Sequence, residues 1–161
     1  MTAKLDRIDK RILAILQEDC TLPVADIARK VGLSTTPCWR RIQRLEKDGV
    51  ITRRVALLNP ADVNAEVTAF VAVRTNEHSD EWLTDFAKVV DGFPEVVEFY
   101  RMAGEVDYLL RVVVPDIARF DDFYKRLIKK ITLTDVSTSF AMEQIKFTTA
   151  MPLDFVDDRA G

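Results

Sequence analysis

The chain has 161 residues, 48% hydrophobic and 30% charged, which is ordinary for a chain that builds a buried core and allows one domain or two small ones. It has no long uncharged apolar run and its start, MTAKLDRIDKRILAIL, lacks a signal-peptide layout, so neither a membrane partner nor export is expected. The net charge of −3 is unevenly spread: residues 1–58 carry 12 Lys and Arg against 7 Asp and Glu, residues 59–161 carry 11 against 19, so a polyanion is expected to meet the first third only.

Asp6 is placed to cap a first helix, with Asp9 three residues on where the N-terminal dipole favours an acid. Ile8, Ile12, Leu13, Ile15 and Leu16 then recur at helical spacing. Pro23 suits the first turn of a second helix whose buried side is Val24, Ile27, Ala28 and Val31. Gly32 follows where helices end in the left-handed conformation. Ser34 caps a third helix with Pro37 in its first turn and Cys38, Ile42 and Leu45 on its core face; Gly49 ends it. Three helices in about 48 residues, the last two joined by Val31-Gly32-Leu33-Ser34, form a helix-turn-helix. Val50-Ile51-Thr52 and Val55-Ala56-Leu57-Leu58, parted by Arg53-Arg54, read as the two short strands of a wing.

From residue 66 the period changes. EVTAFVAVRT reads as a strand, Asp80–Asp91 as a helix, Val96–Met102 and Tyr108–Val114 as strands about a Gly104-Glu105-Val106-Asp107 turn. Pro115-Asp116 opens a helix carrying Ile117, Phe120, Tyr124, Leu127, Ile128 and Ile131, and Val136–Phe147 reads as a fourth strand. The order βαββαβ is the ferredoxin-like arrangement. The fold class is therefore α+β: a winged helix-turn-helix over residues 1–58, a linker at 59–65, a ferredoxin-like domain at 66–150 for ligand sensing and dimerisation, and a partly frayed acidic tail at 151–161. The first strand is apolar on both faces, with Val67, Ala69, Val71 and Val73 on one side and Phe70 and Ala72 on the other. Both helices of such a domain cover the same face, so the second face calls for the same sheet of another copy.

An α-helix fits the major groove of double-stranded DNA, with its N-terminal residues at base edges. Thr35, Thr36, Trp39, Arg40 and Gln43 lie off the core face of the third helix and are placed to reach bases, and the cap residue Ser34 is placed at the DNA as well. Arg41, Arg44 and Lys47, with Arg53 and Arg54 of the wing, suit phosphates. A solvated cationic face is the competing reading, and Trp39 could equally pack beside Ile42. Cys20 and Cys38, with no CxxC pair, read as small buried hydrophobes of a reducing cytoplasm. His78, the only histidine, reads as a loop residue, and no metal or cofactor is expected. No nucleophile–base pair or Gly-rich phosphate loop suggests an enzyme. The alternative to a regulator is an assembly module whose helix-turn-helix is structural.

The strings LDRIDKRILAILQED, ADIARKVGLSTTPCWRRIQRLEKDGVI, GEVDYLLRVVVPD and FAMEQIK, in this order over residues 4–150, resemble the Lrp/AsnC family of prokaryotic transcription factors. The resemblance implies DNA-binding homodimers that assemble further, often to octamers, with an amino-acid effector held between dimers. Carried onto this sequence, it points to Met102, Gly104, Asp107, Tyr108, Ile117, Thr134, Ser137, Ser139, Phe140 and Ala141 as effector residues. Asp107 is suited to an α-ammonium group, although Gly-Glu-Val-Asp is also an ordinary polar turn. LQEDCTL, RMAGEVDYLL, DDFYKRLI and SFAMEQIKFTT resemble the family's cysteine-responsive branch, which implies L-cysteine as effector and control of amino-acid metabolism or detoxification genes.

Overall fold

The computed structural model describes residues 5–77 and 79–155; the loop assignment of His78 lies outside them. It contains α1 (Arg7–Glu18), α2 (Val24–Val31), α3 (Thr35–Lys47), β1 (Val67–Arg74), α4 (Asp80–Asp91), β2 (Val96–Arg101), β3 (Tyr108–Val114), α5 (Ile117–Lys130) and β4 (Asp135–Phe140), with a single 3-10 turn at Pro60–Val63. Two units result, one from the residues up to Ala56 together with those from Lys146 on, the other from Leu57–Ile145.

In the first unit Asp6 and Asp9 cap α1 reciprocally. The Asp9 amide donates to Asp6 Oδ1 at 2.8 Å, and the Asp6 amide donates to Asp9 Oδ2 at 3.1 Å, so two of the helix's orphan donors are satisfied. Pro23 is the N-cap of α2 rather than part of its first turn. Gly32 has φ +77, a backbone that residues with a Cβ rarely adopt, and this lets α2 turn tightly into α3. Ile12, Leu13, Ile27, Ala28, Val31, Cys38, Ile42 and Leu45 form the buried core, as the helical spacing predicted. Arg11 closes the end of α2 by donating to the Lys30 carbonyl at 2.6 Å.

The expected wing strands are not formed: residues 52–59 carry no ladder. The β-branched pattern is present, but a strand exists only against another strand's backbone. The fourth strand is likewise shorter than expected, ending at Phe140 instead of Phe147. Residues from Lys146 on group with the first unit rather than with the sheet. The Gln17 carboxamide accepts from the Met151 amide at 2.6 Å and donates to its carbonyl at 3.3 Å, and Leu153 packs against the helical core. The segment expected to fray is thus tied down at Met151 and Leu153, while Phe155 is exposed.

The second unit is a four-stranded antiparallel sheet in the order β2-β3-β1-β4, which is the ferredoxin-like topology. Ala69, Val71 and Val73 of β1 and Leu110, Val112 and Val114 of β3 face α4 and α5, meeting Phe86, Val90, Phe120, Phe123 and Leu127. In α5, Ile117 and Ile128 are exposed and Phe123 is buried instead. The face centres on Phe120, Phe123 and Leu127, one step round the helix from the expected stripe. The opposite sheet face carries Phe70 and Ala72 in register with Arg111 and Leu109 of β3 and with Ser139 and Ser137 of β4. No helix of the described residues is long and apolar enough to cross a membrane.

Candidate nucleic-acid interface and effector site

Helix α3 buries Cys38, Ile42 and Leu45 and turns Ser34, Thr35, Thr36, Trp39, Arg40, Gln43 and Lys47 outward. Trp39 is 50% exposed, so half of the indole is open and it is not a core residue. The Ser34 hydroxyl makes no capping bond. Burial pushes the Cys38 thiol above its ordinary pKa, with the Arg41 charge pulling weakly the other way.

The cations divide into two groups. Among the described residues, Arg40, Lys47 and Arg53 make no ion pair. Arg54 is paired to Glu46 at 2.8 Å, and Glu46 also accepts from Gln43 at 2.9 Å. Arg41 bridges Asp6 at 2.5 Å and Asp9 at 2.8 Å, and Arg44 pairs with the other oxygen of Asp9. Burial alone raises Asp6, but the Asp9 amide and the Arg41 guanidinium outweigh it and hold the carboxyl below its ordinary pKa. The same bonds raise Arg41. Sequence reasoning put Arg41 and Arg44 with the phosphate contacts and saw Asp6 and Asp9 only as helix-cap residues. The legible signal was two i, i+3 pairs of opposite sign, one on each helix.

The effector candidates fall at two ends of the sheet. At one end, the turn from Met102 to Asp107 is closed by the Met102 amide donating to the Asp107 carbonyl at 2.8 Å. Gly104 lies at φ +126. Asp107 Oδ2 accepts from the Thr75 amide at 2.8 Å, and the Thr134 hydroxyl oxygen accepts from the Asn76 amide at 3.3 Å. Tyr108 is buried among Trp82, Phe86 and Phe99. At the other end, Phe140 packs edge-on against Phe120, one turn along α5 from the exposed Ile117. The Ala141 amide donates to the Thr68 carbonyl at 2.9 Å. Ser137 and Ser139 lie between, on the face away from the helices. Six residues of β4 part the two groups, roughly 17 Å at strand spacing, too far for one amino acid to span. A single chain does not gather them into one pocket. A cavity of about 790 Å³ opens elsewhere, between α4 and β2, lined by Leu83, Ala87, Lys88, Phe93, Val97 and Phe99.

A helix-turn-helix with an open, cationic third helix, followed by a ferredoxin-like domain, defines a DNA-binding regulator with an attached sensor. Two family models bear this out: a winged helix-turn-helix DNA-binding model matches residues 5–52, and the Lrp/AsnC ligand binding domain matches residues 68–151. The chain belongs to the Lrp/AsnC family of amino-acid-responsive transcriptional regulators, and it is not an enzyme. It is 53% identical over 151 residues to the DNA-binding transcriptional activator DecR of Escherichia coli K12, covering 93% of this chain and 99% of that protein. It is 48% identical over 160 residues to the glutamate uptake regulatory protein of Zymomonas mobilis, covering 99% and 98%. Among solved structures, an AsnC family regulator from Agrobacterium tumefaciens superposes with a TM-score of 0.92 at 70% identity, over 94% of this chain and 99% of that one. A Neisseria meningitidis regulator in complex with L-methionine superposes at 0.89 and 35% identity, with the same coverage.

Proposed function

We propose that the protein reads an operator as a two-fold pair, with α3 of each copy in the major groove, and that L-cysteine is the amino acid it answers to. The outward set on α3 carries the first half of this reading. Thr35, Thr36, Trp39, Arg40 and Gln43 meet base edges, where Arg reads guanine and Gln reads adenine. Ser34, Lys47 and Arg53 meet phosphates. The two copies join through the open sheet face, and such dimers assemble further, toward octamers. The splitting of the effector candidates between two sheet ends supports a sensing site completed by two chains: Met102, Gly104 and Asp107 from one, Ile117, Phe140 and Ala141 from the other. Asp107 has one carboxylate oxygen on Thr75 and a second for an α-ammonium group. L-Cysteine is favoured by the likeness to DecR, while the relative named for glutamate uptake and the neighbour holding L-methionine supply the competitors. The genes it controls are those of amino-acid metabolism or detoxification.

Calorimetry against the twenty amino acids, with assembly size followed by light scattering, tests the sensing half. Heat with L-cysteine at concentrations where glutamate and methionine give none is expected; heat with another amino acid alone overturns the assignment. Fluorescence anisotropy on a selected duplex tests the reading half. Two phosphate-facing cations per chain, Lys47 and Arg53, give a slope of log affinity against log salt of about −4 for a dimer. An affinity indifferent to salt refutes groove binding.

A further inference from the structure

We infer that Asp9 is a positioning residue for DNA reading: it holds Arg41 and Arg44 of α3 on the protein and withholds both guanidiniums from the duplex phosphates. The inference rests on α3 being the reading helix. Asp9 is 1% exposed, yet it carries a carboxylate that is fully engaged. Oδ1 accepts from Arg41 at 2.8 Å; Oδ2 accepts from Arg44 and from the Asp6 amide at 3.1 Å. Arg41 is fixed a second time by Asp6 at 2.5 Å. Both acids sit at the start of α1 and both bases along one side of α3, so the four charges tie the α1 N-terminus to the reading helix. A buried carboxylate stripped of its partners is left uncompensated in a low-dielectric site, whereas a phosphate contact at the wet protein–DNA surface is screened by salt. The balance keeps the guanidiniums on Asp9 when DNA arrives. The Arg41 side chain is 28% exposed, whereas Arg44, at 46%, is tied to Asp9 while its stem stays open to solvent. The consequence is a division of labour along α3, in which Arg40 and Lys47 meet DNA while Arg41 and Arg44 set the helix's pitch.

The salt dependence of binding to a random-sequence duplex separates this from a purely structural role, because the slope counts phosphates neutralised and is insensitive to a uniform loss of stability. With Asp9 native, Arg44→Gln and Arg41→Gln are each expected to leave the slope unchanged. Asp9→Asn is expected to steepen it by between about 2 and 4 per dimer as one or two guanidiniums per chain go to phosphates, and Asp9→Asn with Arg44→Gln to return about 2 of that. A slope shallower by about 2 in Arg44→Gln alone places Arg44 on a phosphate already and overturns the inference. So does a folded Asp9→Asn variant with the native slope. If Asp9→Asn melts below the assay temperature, the two arginine variants decide the matter, since both keep Asp9. A native protein whose binding ignores salt overturns the α3 reading itself, a result distinct from either of these.

Discussion

Phe70 lies on β1, an interior strand flanked by β3 and β4, yet it is 38% exposed. Its neighbours across the ladder are Arg111 and Ser139, and the same face carries Ala72, Leu109 and Val113. If two copies meet through this face, each Phe70 loses its remaining exposure. Full burial of a phenylalanine is worth about 1.5–3 kcal/mol; 38% of that is about 0.6–1.1 kcal/mol per chain, or about 1–2 kcal/mol for the pair. Phe70→Ala therefore raises the dimer dissociation constant about 5- to 30-fold at 1.4 kcal/mol per tenfold. Phe70→Asp acts more strongly, since it sets two like charges face to face beside Glu98, which already holds Arg111 at 2.7 Å. Sedimentation equilibrium over a concentration series reads both effects. Thermal melting at the same concentrations verifies that the unit, whose core lies on the other face, stays folded. Dimers of native affinity in Phe70→Asp refute the sheet-to-sheet reading. So does a native protein that sediments as a single chain at every concentration.

Three further perturbations probe the two sites. Arg40→Ala should relax base preference at one operator position by ~1–3 kcal/mol, read by binding to a panel of single-base variants; equal losses on every variant move Arg40 to the phosphates. Asp107→Ala should weaken L-cysteine binding about 10- to 100-fold, as removal of a charge-assisted bond of about 1.5–3 kcal/mol does, while DNA affinity without effector is kept. A native cysteine titration in that variant excludes Asp107 from the site. Acid acts through Asp6: its folded pKa lies below the ordinary 3.8, so its contribution is fully present above that value and is lost as pH falls through the lowered one. The melting temperature of the helical unit should drop below pH about 4, by less in Asp6→Asn than in the native chain; equal drops leave Asp6 without a part in acid loss.

How much of this was legible in the sequence follows from where each residue's partner lies. Periodicity located α1, α3, β1, β3 and α4 closely, because their buried faces are met by neighbours within the same unit. Where the partner is a particular polar group, the pattern was silent. Arg41 and Arg44 are indistinguishable in sequence from Arg40, yet a buried carboxylate 32 or 35 residues earlier pairs with both of them. Tyr108 follows the turn that suggested a ligand contact, yet strand alternation points its ring into the aromatic core. Residues 52–58 and 142–147 have the composition of strands and form no ladder, since propensity supplies a side-chain pattern and not the second backbone that a ladder requires.

The same reasoning bears on the sensor. Asp107 Oδ2 is bound to the amide of Thr75, at the end of β1, and Thr134 holds the next amide, that of Asn76. An amino acid drawn to Asp107 must share that carboxylate with the backbone of the β1 end. From β1 the register runs straight to Ser137 and Ser139 on the open face, opposite Ala72 and Phe70. Occupancy at the turn and packing at the face thus act on one strand. On the proposed assembly, an effector that shifts the end of β1 acts on the same strand that presents Phe70 and Ala72 on the open face proposed to join two copies.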